Sequence, residues 1–245
     1  MRNFVSALSF LTLIPLAKIA GKPNGGAILY FPWVGILIGS LLAGVDWLGS
    51  LFLYNELRAL VDVAFLALIT GGLHLDGLAD SADGLYFHHA KEKSLDVMKD
   101  PRVGVMGVLA LLFCLGFKYI GLLALEFEHC WVWLVVTPAL ARSAQTVGLV
   151  FMSDARETGG VGQALYQKGK YHYLIFCLIP LALPFGVNVS IGVVVGLIFI
   201  MLNGCLLNFF RHRLGGMTGD TFGALTETTE TVFLVFGGLV CKGLI

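Results

Sequence analysis

Long apolar segments separated by short polar ones follow one another along most of the chain. A helix needs about 20 residues to cross the hydrocarbon core of a bilayer, so segments near this length are candidate membrane spans. These candidates lie at about 29–53, 57–75, 104–125, 130–151, 172–187, 189–210 and 231–245. The pattern therefore predicts an all-α polytopic membrane bundle of about seven transmembrane helices, forming a single domain over residues 1–245. Because the fifth and last segments are short, six or eight spans are the alternatives.

The first apolar run, in MRNFVSALSFLTLIPL, differs from these segments because polar residues interrupt it. One Arg followed by a short apolar run could form a signal peptide. The run, however, contains Asn3, Ser6, Ser9 and Thr12, and Pro15 closes it. These interruptions favour an interfacial or re-entrant helix.

The amino-acid composition is also that of a membrane protein. Hydrophobic residues make up 57% and charged residues 13% of the 245 residues, whereas about 25% of residues are charged in soluble domains. The mean hydropathy is +0.85. The 16 basic residues are balanced by 16 acidic ones and form no run, so a nucleic-acid-binding surface is not expected. The five cysteines form no CxxC pair, so neither a disulfide framework nor a zinc site is predicted.

The distribution of basic residues predicts the orientation of the chain. If seven spans alternate, one side of the membrane holds most of the Lys and Arg residues that lie in loops: Arg2, Lys18, Lys22, Lys91, Lys93, Lys99, Arg102, Arg156, Lys168, Lys170, Arg211 and Arg213. The opposite side holds only Arg58 and Lys242. Basic loops stay in the cytoplasm, so the N-terminus and these loops are predicted to be cytoplasmic.

An acidic motif, GGLHLDGLADSADGL, follows the second predicted span. Its Asp76, Asp80 and Asp83 are spaced by four and three residues, which places them on one side of a helix; we call them the first acidic face. Like charges at this spacing repel one another. A solvated surface is the simplest interpretation, but the position at the membrane surface favours a divalent cation. Mg²⁺ fits, because it binds one or two carboxylates and completes its shell with water and phosphate oxygens.

The same predicted cytoplasmic loop continues to KEKSLDVMKDPRVGVMG. Asp100 is a candidate additional ligand or general base, and Lys99 and Arg102 are candidates for binding phosphate oxygens. A helix cap or a surface ion pair is the alternative for these three residues. Inside the predicted spans, Lys118 and Arg142 are expected to face the bundle interior, where they would pair with carboxylates or with substrate phosphate.

A second polar segment, GGMTGDTFGALTETTE, precedes the last predicted span. Its glycines, Gly215, Gly216 and Gly219, could let backbone N–H groups approach an anion. Three carboxylates follow at helical spacing and form the second acidic face: Asp220, Glu227 and Glu230. Helix capping could explain one of them. Two acidic faces on one side of the membrane instead favour a transferase that cleaves a diphosphate with the help of metal ions.

Three of these segments, HLDGLADSADGL, DPRVGVMG and GGMTGDTFGALTETTE, resemble the adenosylcobinamide-GDP ribazoletransferase family, also called cobalamin-5'-phosphate synthase. The resemblance extends to ALSFLTLIPL, to FPWVGILIG, and to Lys118 and Arg142 in the same order. Pro101 and Met106 depart from the family pattern, which expects a small polar residue and an aromatic residue there.

The resemblance implies a prokaryotic cytoplasmic-membrane enzyme of late cobalamin biosynthesis. Such an enzyme joins adenosylcobinamide-GDP to α-ribazole or its 5'-phosphate, releases GMP and requires Mg²⁺. The first acidic face would hold the metal, and the second would hold another ion or orient the acceptor. Asp83 or Asp100 would be the general base, and Arg142 a further catalytic candidate. Whether several copies of the chain associate is left open.

Two other functions remain as alternatives. A CDP-alcohol-type phosphotransferase of lipid head-group synthesis shares the clustered Asp residues, but its usual motif has an Ala-Arg pair where Ala79 is here followed by Asp80. A cation channel or carrier would place its carboxylates near the middle of the membrane and gives no reason for the Gly-rich loops.

Overall fold

The computed structural model describes residues 2–16, 24–87, 90–125, 127–156 and 163–244. This part of the chain is helical and contains no strand beyond a single bridge between Asp154 and Met217, which confirms the all-α prediction. Its α-helices are α1 (Arg2–Leu11), α2 (Phe31–Ser50), α3 (Asn55–Ile69), α4 (Leu73–Tyr86), α5 (Lys91–Val97), α6 (Val105–Ala124), α7 (Phe127–Phe151), α8 (Leu178–Ala182), α9 (Val189–Leu214) and α10 (Gly219–Cys241). Lys18 and Lys22, used in the orientation prediction, lie outside the described residues.

Five helices in the described residues are long and apolar enough to cross a membrane. They are α2 with the 3₁₀ turn before it (Gly25–Ser50), α6, α7 from Cys130, α9 and α10. A sixth is counted if α3 and α4 form one broken span. The predicted count of seven is therefore not confirmed, because the fifth segment forms only short helical pieces over Tyr171–Gly186. The last span, by contrast, begins at Gly219 rather than at residue 231.

The second predicted span ends early, at Ile69, and the chain then bends by 86° into α4. Gly71 and Gly72 form this turn with φ angles of +63° and +70°, a region that favours glycine. The turn separates the first acidic face, which lies on α4, from the apolar helix before it. At the N-terminus, α1 has 10 residues and is too short to span, as expected for an interfacial or re-entrant helix.

Glycines lie at close contacts between helices of the bundle. A Cβ atom on Gly35 of α2 would lie 2.5 Å from the Cα of Ala139 on α7, and one on Gly121 of α6 would lie 2.7 Å from the carbonyl carbon of Leu234 on α10. Small residues at such positions let helix backbones approach each other in a membrane. Outside these contacts, large apolar side chains such as Phe113 and Ile200 are exposed and form the surface available to lipid.

A disulfide joins Cys130, at the start of α7, to Cys241, at the end of α10. The prediction that the cysteines form no disulfide is therefore wrong. The pair was missed because its members are 111 residues apart in sequence and meet only through helix packing. The other ends of the same two helices meet where Asp154 bridges Met217. The bundle thus has a disulfide end and, opposite to it, the end at which α10 begins.

Candidate active site

Carboxylates of α4 and α10 come together at the end of the bundle where α10 begins. Asp80 is repelled by Asp76 and Asp83 on its own helix and by Asp220 on α10, and it is attracted by Arg156. Asp76 and Asp220 also repel each other. We call Asp76, Asp80 and Asp220 the acidic cluster. Within the described chain, neither Asp76 nor Asp80 has an ion-pair partner for its side chain.

Two glycines bring the helices that carry the acidic cluster together. A Cβ atom on Gly77 of α4 would lie 2.7 Å from the backbone oxygen of Asp220, and one on Gly223 of α10 would lie 2.7 Å from the backbone oxygen of His74. Thr218 caps α10, because its hydroxyl accepts the N–H of Thr221 at 3.2 Å. Capping therefore does not account for Asp220, whose carboxylate in the first turn faces α4.

Arg156 provides the ion-pair partner of Asp220. Its Nη2 atom lies 2.6 Å from Asp220 Oδ2, and the two side chains are partly exposed. The backbone of the Arg156 loop is held beside α10, because Ala155 N–H donates to Met217 O and Met217 N–H donates to Ser153 O. The sequence indicates this residue only weakly, because Arg156 precedes a Gly-rich stretch and its pairing with Asp220 depends on the packing of α7 against α10.

Asp83, predicted as a metal ligand and possible base, holds the start of α6. Its two carboxylate oxygens accept the N–H groups of Gly104 at 2.6 Å and Gly107 at 2.9 Å. Negative charge at a helix N-terminus is favourable, and these bonds pair N–H groups that have no partner within the helix. Asp83 therefore fixes α6 beside the acidic cluster.

Asp100, Arg102 and Lys99 form surface ion pairs. Arg102 donates from Nε and Nη2 to the two oxygens of Asp100, at 2.9 and 2.6 Å. These hydrogen bonds lower the pKa of Asp100 to about 2. Lys99 lies 3.2 Å from Asp96. Asp100 and Arg102 line a cavity with Asp83, whereas Asp76 and Asp220 line a different one. An Asp100 with so low a pKa would be a weak base.

The second acidic face is divided between two environments. Whereas Asp220 lies at the end of α10, Glu227 and Glu230 are buried further along the helix. Glu227 Oε2 lies 2.6 Å from Lys118 Nζ, and Glu230 Oε2 lies 2.8 Å from Arg142 Nη1. Carboxylates at this depth need countercharges, and these two basic residues supply them. Arg142 and Lys118 thus face the bundle interior and neutralise Glu227 and Glu230.

The three candidate glycines also differ in position. Gly215 ends α9 with φ +73°, and Gly216 packs so closely on Ser153 that a Cβ atom would overlap its carbonyl oxygen. Only Gly219 borders the cavity that contains Asp220. Gly215 and Gly216 therefore shape the loop between α9 and α10, and Gly219 borders the cavity.

Beside the acidic cluster lies a cavity of about 280 Å³, which we call the chamber. Its charged border is formed by Asp76, Asp154, Arg156 and Asp220. Its walls are mainly apolar and aromatic: Phe10, Phe31, Leu73, Leu149, Leu165, Tyr166 and Phe222, with buried His74 and Gln145. These side chains come from α1, α2, α4, α7, α10 and the segment after Gln163. The chamber escaped sequence analysis because its residues are distant from one another in the chain.

The described residues contain no group of three or more His, Cys, Asp or Glu side chains already arranged around a common metal position. The acidic cluster nevertheless has the chemistry that a hard divalent cation requires. It offers carboxylate oxygens whose negative charges repel one another, and in the described part of the chain Arg156 is the cation that attracts them. Mg²⁺ needs only one or two protein carboxylates, because water and phosphate complete its octahedral shell.

Comparison with known proteins identifies the family. The family model described as cobalamin-5-phosphate synthase matches residues 3–238. A protein from Roseiflexus sp. (strain RS-1) is 38% identical, with 93% of this chain and 86% of the relative covered. One from Desulforamulus reducens is 36% identical, with 95% of each covered.

A third relative, from Alkaliphilus metalliredigens, is 37% identical, with 96% of this chain and 94% of the relative covered. All three relatives bear the name adenosylcobinamide-GDP ribazoletransferase. No solved structure matches the chain. The match over residues 3–238 confirms the resemblance seen in the motifs, and the chain belongs to the cobalamin-5-phosphate synthase family.

Proposed function

We propose that this chain is an adenosylcobinamide-GDP ribazoletransferase. It joins adenosylcobinamide-GDP to α-ribazole or its 5'-phosphate and releases GMP, in the last steps of cobalamin biosynthesis. The family match and the common name of relatives that align with almost the whole chain support this function. They do not favour the CDP-alcohol phosphotransferase or the channel.

The observation that carries the proposal is the convergence of Asp76, Asp80 and Asp220 with Arg156. Of these residues, Asp76, Asp220 and Arg156 border the chamber. In the reaction, a ribose hydroxyl oxygen forms a bond to the phosphorus attached to the cobinamide arm. The bond between that phosphorus and the bridging oxygen breaks, and GMP leaves with the electron pair. The hydroxyl proton passes to a carboxylate of the acidic cluster. Arg156 is placed to bind phosphate oxygens.

We propose Mg²⁺ as the cofactor, with Asp76 and Asp80 as ligands and Asp220 as a further ligand when Arg156 turns to the substrate. When bound, the ion supplies positive charge that stabilises the diphosphate oxygens as GMP leaves. Asp83 supports this site by accepting hydrogen bonds from the start of α6. Glu227 and Glu230 support it from the bundle interior, where they form ion pairs with Lys118 and Arg142.

The acidic end of the bundle is proposed to face the cytoplasm of a prokaryotic cell. The loops at this end contain most of the basic residues, as the positive-inside rule requires. The disulfide lies at the opposite end, and disulfides persist in oxidising compartments outside the cytoplasm. The two observations are independent and favour the same orientation.

The test is GMP release by the detergent-solubilised protein given adenosylcobinamide-GDP, α-ribazole 5'-phosphate and Mg²⁺. GMP should appear only when both substrates are present, and EDTA should stop its release. Asp80→Asn, which keeps the side-chain shape but removes the charge, should lower kcat by about 100-fold or more. Asp96→Asn, at an exposed residue paired with Lys99, is the matched control and should change kcat less than about twofold. Equal GMP release with EDTA, or by Asp80→Asn, would contradict the assigned role of the acidic cluster.

A further inference from the structure

We infer that the chamber binds the base of the nucleoside acceptor, the flat and largely apolar benzimidazole ring system of α-ribazole. This inference rests on the proposed function, and it assigns one half of the substrate pair to a particular cavity. The other half, adenosylcobinamide-GDP, then approaches the acidic cluster from the exposed side of Asp76.

The size of the chamber limits what it can hold. Its volume of about 280 Å³ is just below the usual range of about 300–1,000 Å³ for small-molecule pockets. A bicyclic base with part of its ribose is of this size, whereas a corrin ring is several times larger. Either the acceptor nucleoside or the guanosine of the donor could therefore enter, but the corrinoid could not.

The walls favour the less polar of these two bases. Two pairs of aromatic rings contribute to the lining: Phe10 with Phe31, whose centroids are 6.0 Å apart, and Tyr166 with Phe222, at 5.6 Å. A dimethylbenzimidazole nucleoside has a single free ring nitrogen and two methyl groups. Guanine has polar groups along most of its edge, and several of them would lose their hydrogen bonds to water against these walls.

Away from the charged border of the chamber, His74 offers a hydrogen-bond donor in the wall. The hydroxyl of Thr226 donates to Phe222 O at 2.7 Å, so it must accept the hydrogen bond from Gln145 Nε2 at 2.6 Å. The same amide nitrogen lies 2.9 Å from His74 Nε2 and donates to it. His74 is thereby assigned the tautomer with its hydrogen on Nδ1, an atom without a partner among the described residues. Because His74 lines the chamber, we assign this N–H as the donor to the free ring nitrogen of a benzimidazole nucleoside; the atom is itself covered, so binding requires the His74 ring to shift toward the ligand.

Gln145 Oε1 in the same wall also lacks a partner in the described structure. This acceptor lies beside His74, in the part of the chamber that we assign to the base. With the base inside the chamber, the ribose lies at the charged border, which is where Asp76, Asp220 and Arg156 are found. The attacking hydroxyl is then beside the acidic cluster, and a 5'-phosphate on the ribose would be within reach of Arg156.

The first experiment compares Phe222→Ala with Phe113→Ala. Phe222 lines the chamber, whereas Phe113 is exposed on α6 and provides a control for loss of an aromatic ring. Isothermal titration of the solubilised proteins with α-ribazole should show a Kd raised about tenfold or more in Phe222→Ala and changed less than about twofold in the control. In the GMP-release assay, the KM for α-ribazole should rise in the same way, and the KM for adenosylcobinamide-GDP should stay within about twofold.

A competition experiment on the wild-type protein does not depend on how the variant folds. Free dimethylbenzimidazole should displace α-ribazole, and GMP should not. Displacement by GMP, or a Phe222→Ala variant in which only the KM for adenosylcobinamide-GDP rises, would assign the chamber to guanine and overturn the inference. Unchanged constants for both substrates in a folded Phe222→Ala variant would overturn it as well. Tight α-ribazole binding without GMP release would refute the proposed function but still support the assignment of the chamber to the base of α-ribazole.

Discussion

The acidic residues of this chain are distinguished by their partners. Asp83 accepts two backbone N–H groups, and Glu227 and Glu230 face Lys118 and Arg142. Among the six carboxylates of the two acidic faces, only Asp76 and Asp80 lack such a partner in the described structure, and Asp220 is paired with an Arg that is itself partly exposed. Uncompensated carboxylates that repel one another are costly to keep. Their presence at a single place is the strongest reason to locate metal and phosphate chemistry there.

A first prediction concerns the buried pair Lys118–Glu227. Lys118→Met leaves Glu227 charged and buried without its partner, and this should cost about 3–5 kcal/mol of stability. Glu227→Gln should cost less, because Lys118 still lies 3.8 Å from Glu230. The measurement is the unfolding temperature of each variant in detergent.

The double variant Lys118→Met with Glu227→Gln separates the structural role from metal binding. It removes both charges, so it should recover much of the stability lost in Lys118→Met and retain GMP release. If the double variant is as stable as the wild type but needs far more Mg²⁺ for activity, Glu227 binds metal after all and the structural assignment fails.

At the scale of elements, the site depends on how closely α4 and α10 approach. Gly77 and Gly223 face each other across this contact, and neither helix could come so near with a side chain at these positions. The position of the first acidic face also depends on the 86° bend before α4, because without it α4 would continue along the axis of the apolar helix α3. Glycines at the bend and at the contact therefore place the carboxylates together.

Gly77→Ala tests this contact. The added Cβ would lie 2.7 Å from the backbone oxygen of Asp220, so the helices must separate. A displacement near 1 Å at an active site can lower the rate about 100-fold, and we expect kcat/KM to fall by about this factor. Gly116→Ala on α6 is the matched control, because a Cβ there would meet nothing within 4 Å and alanine is the better helix former. Equal activity of the two variants, both inserted in the membrane, would show that the approach of α4 to α10 is not needed.

For the whole molecule, hydropathy was enough to predict the helical membrane fold, because each apolar helix is encoded within its own segment. The spacing of Asp76 and Asp80 likewise predicted a shared face, since both lie on one helix. The sequence also predicted that Lys118 and Arg142 face the interior and pair with carboxylates or phosphate. It did not predict that their partners are Glu227 and Glu230, because the two basic residues lie on α6 and α7 and the two acidic residues on α10. The same reason applies to the disulfide and to the chamber, which exist only when distant helices pack.

The last prediction concerns the orientation of the bundle, and it uses the disulfide as a marker of the outer end. A Cys205→Ser variant lacks the exposed free cysteine, which leaves Cys114 and Cys177 buried and Cys130 joined to Cys241. Treatment with a membrane-impermeant reductant followed by an impermeant maleimide should label right-side-out vesicles and leave inside-out vesicles unlabelled. Without the reductant, neither preparation should react.

A control for the acidic end is Lys93→Cys in the same background, at an exposed residue of α5. This cysteine should react only in inside-out vesicles and without reductant. The reverse pattern for both cysteine sites would place the acidic cluster outside the cytoplasm and contradict the proposed orientation. The two sites must react in vesicles of opposite orientation. Labelling of both sites in the same vesicle preparation therefore shows that its membranes are leaky.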